Sequence, residues 1–379
     1  MKRRNLVFGG PAVLAASMLG GLSTRAGASN STVIKFGQSA AMTGGQARYG
    51  RDVRDGIMAA FAAASKGDGP KFELVTLDDG GISSRCAQNV STLIDGGVSA
   101  LIGLTSGPGA EASMSVVNSN QIALLGTASG SMALRSNGPN ASYHVRAGYD
   151  VEYKRMANYV RDFGMRRVGL VHLVDASKVN LAAMSQALST LSMAPIETIA
   201  VDRNATSFND VGERLLAAKL DLVLFSTNAS PTAAIINQMS LGRYAGLFYA
   251  SSYAGQDLVD TLTERKQSCV MSMVVPRPNA GGVNVVNTCR QDLAAVAPDA
   301  KLGMTTLEGY IAGRIAVEAA RAALKVSGGE RIGRARMKES LAGVKADLGG
   351  YRVEFAPGVT QGSQYVDLIA IDRYGRLVG

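Results

Sequence analysis

The strongest constraint on this chain is a rhythm: short apolar runs alternate with helical stretches from residue 33 to about 275. The first unit shows the pattern. Val33-Ile34-Lys35-Phe36-Gly37-Gln38-Ser39-Ala40 reads as a strand, and Ala41-Met42-Thr43-Gly44 as a small-residue turn. A helix follows with Val53, Ile57 and Phe61 at i, i+4, i+8 spacing. Further strands are expected at 71–78, 99–104, 121–126, 167–174, 196–201, 221–226, 246–251 and 269–275. Runs such as Ala100-Leu101-Ile102 and Leu222-Val223-Leu224-Phe225 suit strands covered on both faces of a parallel sheet. Between them, Tyr149, Tyr153, Met156, Val160 and Phe163 form one helical apolar face. Phe208, Val211, Leu215 and Leu216 form another. Alternation of this kind predicts a doubly wound α/β architecture.

The rhythm breaks twice. Leu134 to Asn140 is rich in turn residues, and Ser142 to Ala147 reads as an extended connector. Val274-Val275-Pro276-Arg277-Pro278 is held extended by its prolines. Long helices at 283–297, 305–326 and 334–343 and strands at 349–355 and 364–371 then close the chain. Two α/β halves, each completed by chain returning from the other, would give a two-lobed protein.

Residues 1–28 have the three-part layout of an export leader. Lys2, Arg3 and Arg4 precede an apolar, Gly-rich segment from Leu6 to Leu22, and Ala26-Gly27-Ala28 offers a small-x-small cleavage site. Adjacent Arg3-Arg4 fits the twin-arginine route as well as the general secretory one. Cleavage after Ala28 and a soluble, periplasmic mature chain are expected, with no stable membrane insertion. What remains is long enough for two domains with sizeable cores. The formal net charge is +9, but four of the basic residues lie in the leader. The rest are scattered and not interleaved with aromatics, which argues against nucleic-acid binding. Of Cys86, Cys269 and Cys289, at least one must stay free. Cys269 and Cys289 could be bridged in an oxidising compartment, and three unpaired buried thiols are the leading expectation.

Catalytic signatures are missing. There is no G-x-S-x-G elbow, no H-E-x-x-H and no phosphate loop of the G-x-x-x-x-G-K-[ST] type. Both histidines, His144 and His172, read as structural. Asp78-Asp79 reads as a solvated strand end, with no metal-ligand spacing around it, and no cofactor or metal is expected. What is present is a pair of Ser/Thr/Gly turns after consecutive strands: Thr105-Ser106-Gly107-Pro108-Gly109 and Thr127-Ala128-Ser129-Gly130-Ser131. If each runs into a helix start, backbone N–H groups, hydroxyls and helix dipoles converge on one point suited to a carboxylate.

These segments, in this order, resemble the type I periplasmic solute-binding proteins of the leucine/isoleucine/valine-binding class, which serve ABC importers. The match runs through Phe36 to Ser39 with Thr43-Gly44, Leu77 to Gly80, the two turns, Val145 to Glu152, Val274 to Pro278, Leu307 to Tyr310 and Leu348 to Phe355. It covers essentially the whole chain after the leader. The resemblance implies two doubly wound parallel-sheet lobes joined by three hinge crossovers. Lobe 1 would be 29–147 plus 277–352, and lobe 2 would be 148–276 plus 353–379. It implies a small-molecule ligand trapped by hinge closure, an ABC transporter permease as partner, and a monomer. Carried over by position, Ser106, Gly107, Ala128 and Ser129 would hold the ligand from the first lobe. Tyr149, Asn228, Ser252 and Tyr253 complete the implied set.

The departures from that class bear on the ligand. Leucine binders carry a serine where this chain has Gly107, and an aromatic residue where it has Asn228. The acid that answers an α-ammonium falls at Ser251-Ser252-Tyr253, where no acid stands in the sequence. A small carboxylate or a polar neutral compound is thus on an equal footing with a free amino acid. Two other functions compete with an import receptor: a ligand-sensing subunit of a signalling system, and an exported α/β hydrolase using Ser129 with His172.

Overall fold

The computed structural model describes residues 32–135, 142–328 and 332–379. The expectations for residues 1–28 lie outside the described residues. The chain opens with β1 (Val33–Ala40), α1 (Ala47–Ala64), β2 (Lys71–Asp78), α2 (Ser83–Asp95), β3 (Ala100–Ile102), α3 (Gly107–Ser119), β4 (Leu124–Leu125) and β5 (Ser142–Tyr143). These strands form one parallel sheet in the order β2-β1-β3-β4-β5. The next segment supplies α4 (Tyr149–Asp162), β6 (Val168–Leu173), α5 (Lys178–Ser189), β7 (Glu197–Val201), α6 (Asn209–Ala217), β8 (Leu222–Ser226), α7 (Ala229–Leu241), β9 (Leu247–Ala250), α8 (Gly255–Glu264) and β10 (Cys269–Met273). Then come α9 (Asn284–Val296), α10 (Met304–Val326), α11 (Arg334–Ala342), the hairpin of β11 (Lys345–Asp347) and β12 (Arg352–Glu354), and finally β13 (Asp367–Ile371) and β14 (Leu377–Val378). The second sheet has the order β14-β13-β10-β9-β8-β6-β7. Its centre is parallel, and β13 and β14 add antiparallel strands at one edge.

Helices cover both faces of the first sheet. Alternate residues of its strands enter two separate cores: Ala100, Ile102 and Leu125 face one, Leu101 and Leu124 the other, which α2 and α3 close with Val90, Leu93 and Val117. The opposite face is covered by α1 and by α10, which returns from the second half of the chain. These two helices cross in backbone contact. A Cβ on Gly56 would stand 2.0 Å from the Thr306 carbonyl oxygen, and one on Gly309 would stand 2.2 Å from that of Val53.

The chain passes between the sheets three times, at about 144–148, 274–278 and 356–366. The crossovers are tied to one another. The Tyr351 hydroxyl donates to the carbonyls of Val145 (2.7 Å) and Val274 (3.0 Å). His144 and Gln361 form a parallel bridge, and Gln361 Nε2 donates to the Arg146 carbonyl.

Three expectations are corrected here. The segment at 142–147 is not only a connector, because its first two residues pair with β4 as an edge strand. Phe163 leaves the apolar face of α4: the helix ends at Asp162, and Phe163, 64 % exposed, packs at 4.4 Å on the Tyr159 ring. Asp79 is not solvated. It is fully buried and accepts from the Ser39 hydroxyl, while half-buried Asp78 accepts the Met42 and Thr43 N–H groups of the turn after β1 and the Gly80 N–H of the turn after β2. All three cysteines are buried and unpaired. No helix among the described residues is long and apolar enough to cross a membrane.

Candidate ligand-binding cleft

In open α/β sheets, ligands bind outside the carboxyl ends of the strands, where the strand order reverses direction. In the first sheet the reversal lies between β1 and β3; in the second it lies between β6 and β8. The two points face each other. One cavity of about 30 Å³ is lined by Gly107 and Pro108 after β3, Ser129 after β4, Leu173, Asp175 and Ala176 after β6, Ser226 at the end of β8, Tyr253 after β9, and Tyr149 and Asn180. Contacts from both sheets close its rim. Gln46 Nε2 donates to the Tyr253 hydroxyl, Arg48 meets Asp257 at 3.1 Å and also pairs with Asp260, and the Met132 N–H donates to Asn180 Oδ1.

Four of the eight expected site residues, Gly107, Ser129, Tyr149 and Tyr253, come together in this cavity. Ser129 Oγ accepts the Ser131 N–H at 3.2 Å, and Tyr149 lines the same cavity. Burial holds that phenol well above its ordinary pKa, so it stays protonated and can donate. Its ring stacks on Tyr153, with centroids 5.1 Å apart. Gly107 has no room for a side chain, since a Cβ there would stand 2.7 Å from Ser129 Oγ. The hydroxyl that Gly107 lacks is thus replaced in space by that of Ser129.

Asn228 lies just beyond, in a constriction shared with Tyr49 and Tyr253. The other three expected residues stand behind the cavity wall. The Ser106 hydroxyl caps α3 by accepting the Gly109 N–H. Ala128 donates its N–H to the Leu104 carbonyl, and its own carbonyl accepts from the Tyr49 hydroxyl. Ser252 belongs to a buried charge cluster. The second turn also differs from its expected role, because it enters a three-residue 3-10 helix at Met132–Leu134 rather than an α-helix. Arg135, just after that helix, donates to the Ser129 and Ser131 carbonyls.

The charge cluster is the main feature that sequence reasoning missed. Arg146, fully buried, lies 3.2 Å from Glu152 and 3.4 Å from Glu308. Ser252 donates its backbone N–H and its hydroxyl to Glu152, each at 2.7 Å, and accepts from Arg146. An acid therefore does stand at Ser252, brought by α4 from a distant part of the sequence, but a guanidinium already answers it. Asp175, at the cavity edge, is likewise held by Arg203.

Several buried polar atoms without partners stand at strand ends, while His144 Nδ1 in the first crossover and Gln267 Oε1 before β10 lie elsewhere. Among the described residues, four of the buried side-chain oxygens that lack a hydrogen bond are Thr127 Oγ1, Ser177 Oγ, Asn228 Oδ1 and Ser251 Oγ. They follow β4, β6, β8 and β9 respectively, all at carboxyl ends. Burying such groups unpaired is costly, and native interiors normally satisfy them.

Two facing α/β lobes with polar turns on a shared cleft define a solute-binding protein built to enclose a small molecule. The family model for periplasmic binding proteins matches residues 33–374, and the chain belongs to that family. Its members bind small-molecule ligands and work with ABC transporter permeases. No curated protein matches the sequence. Solved structures of similar fold include a possible leucine/isoleucine/valine-binding protein from Rhodopirellula baltica SH 1, at 24 % identity and TM-score 0.85, covering 93 % of this chain and 98 % of that one. A leucine-binding protein from Thermotoga maritima MSB8 is 18 % identical at TM-score 0.78, covering 91 % and 97 %. A solute-binding protein of an ABC transporter from R. palustris, in complex with 4-hydroxybenzoate, is 16 % identical at TM-score 0.77, covering 92 % and 95 %.

Proposed function

We propose that this chain is the extracytoplasmic receptor of an ABC importer and binds a small carboxylate or polar neutral compound. The leader at 1–28 is removed after Ala28, and the mature protein acts in the periplasm as a monomer without a cofactor. Lobe 1 (29–147 plus 277–352) closes on lobe 2 (148–276 plus 353–379) around the ligand. The observation that carries this reading is the meeting of both strand-order reversals at one cavity lined by Gly107, Ser129, Tyr149 and Tyr253. A ligand carboxylate fits the α3 N-terminus at Gly107 with the Ser129 and Tyr149 hydroxyls as donors. An ammonium fits poorly, because Glu152 and Asp175 are already paired with Arg146 and Arg203. The R. palustris relative, which holds 4-hydroxybenzoate, supports a carboxylate that carries no amine.

Binding rather than catalysis is favoured by the partners of the two hydrolase candidates. Ser129 engages Ser131, whereas His172 Nδ1 lies against the Leu173 carbonyl. A thermal-shift screen of carboxylates, amino acids and neutral metabolites, with product formation followed in parallel, tests the function. Stabilisation without turnover is expected; turnover would overturn it.

A further inference from the structure

The cleft does not end at Tyr253. Beyond its ring, the constriction of about 10 Å³ at Gln46, Tyr49 and Asn228 adjoins a further cavity of about 80 Å³. That cavity is lined on one side by Gly80 and Gly81, and on the other by Arg203, Asn204, Asn228 and Ser230. Tyr253 is common to the inner cavity and the constriction, and Asn228 to the constriction and the outer cavity, so the three lie in series, with the Gln46–Tyr253 hydrogen bond between the inner and outer ones.

Several features make the outer cavity a built site. Asn228 is only 7 % exposed, yet its Oδ1 has no partner. It stands at the N-cap of α7, where a side-chain oxygen ordinarily accepts an N–H of the first turn, and it does not do so. The N–H groups of Ala229 and Ser230, which line the constriction, thus stand without that cap at the positive end of the dipole of this thirteen-residue helix. Arg203 adds a guanidinium, held in place by Tyr253 and Asp175. The opposite wall turns at Gly80 and Gly81 with φ of +58° and +76°, between the side chains of Gln46 and Ile82. Donors from α7 and Arg203 therefore stand among side chains that both accept and donate, those of Gln46, Asn204, Asn228 and Ser230, and of these Asn228 Oδ1 is buried without a partner. An uncharged group that both accepts and donates, such as a carboxamide, satisfies the helix and guanidinium donors together with the unpartnered Asn228 Oδ1.

We propose that this outer cavity is a second subsite, which takes an uncharged donor–acceptor group at the far end of an elongated ligand whose carboxylate sits at Gly107 and Ser129. The proposal rests on the carboxylate reading of the inner cavity. The test is calorimetric titration with three series of rising chain length: the ω-amide acids succinamate, glutaramate and adipamate, their branched-alkyl isosteres, and the corresponding diacids. At the best length the amide acid should bind at least tenfold more tightly than its isostere. Asn228→Val should remove that gain, and the free variant should melt no lower than the parent, because it loses an unpaired buried polar atom. Amide and isostere binding within twofold of each other at every length would overturn the subsite and leave the inner site standing. A preference for the diacids would overturn the uncharged assignment. If no acid of any series binds, the inner-site reading fails and the subsite falls with it.

Discussion

Two buried polar regions lie close together in this protein, and they are built differently. Around Arg146, every charge has an answer: Glu152, Glu308 and Ser252 form a closed set with the guanidinium. At the strand ends, Thr127, Ser177, Asn228 and Ser251 keep buried oxygens that no protein group satisfies. The first arrangement ties the first crossover to α4, α10 and the turn after β9, and in the second Asn228 lines the cleft. Of the unpartnered atoms, Asn228 Oδ1 belongs to a residue that lines the cleft cavities, which marks it as the one a ligand would answer.

The largest effect should come from breaking the satisfied region. Arg146→Met leaves Glu152 and Glu308 buried without a counter-charge, which costs about 3–5 kcal/mol in comparable cases. Urea denaturation should show that loss, and adding Glu308→Gln should recover part of it. A variant as stable as the parent would mean that the cluster is not structural.

The strand-end region should respond in affinity and not in folding. Ser129→Ala should weaken ligand binding by about 1–3 kcal/mol, roughly tenfold to a hundredfold, with little change in melting. Equal affinities by calorimetry would move the site off this turn. A collapsed melting temperature would instead make Ser129 part of the scaffold.

A smaller effect sharpens the contrast at the rim. Asp52 shares Arg48 with Asp257 and Asp260, and burial together with those neighbours and Asp55 lifts its carboxyl to about 7. The folded protein thus holds this proton more tightly than the unfolded chain does. The resulting penalty is full above pH 7 and fades as the pH falls toward the ordinary carboxylate range. Asp52→Asn should therefore stabilise the protein at pH 8 by about 1 kcal/mol after solvent screening, and by less at pH 5. Thermal melts at the two pH values check this, and equal shifts at both would contradict it.

Much of the fold was legible because a strand buried on both faces leaves an unbroken apolar run, as at Leu222 to Phe225. Elements with few residues left no such mark. The β5 pair Ser142-Tyr143 and the β11–β12 hairpin depend on partners elsewhere. The cleft turns were legible as turns, but which atoms each would spend internally was not. Ser106 and Ser129 look alike in sequence; one caps α3 and the other faces the cavity. The Arg146–Glu308 pair joins residues 162 positions apart, and no local pattern announces it.

The central claim is that the cleft receives a carboxylate and holds no free acid for an ammonium. Its most direct test is to titrate the purified protein with leucine and with isocaproate, the same skeleton without the amine. An ammonium desolvated without a counter-charge costs several kcal/mol. The account predicts that isocaproate binds at least as tightly as leucine. Tighter binding of leucine, with its ammonium on Asp175 or Glu152 in the crystal structure of the complex, would contradict it.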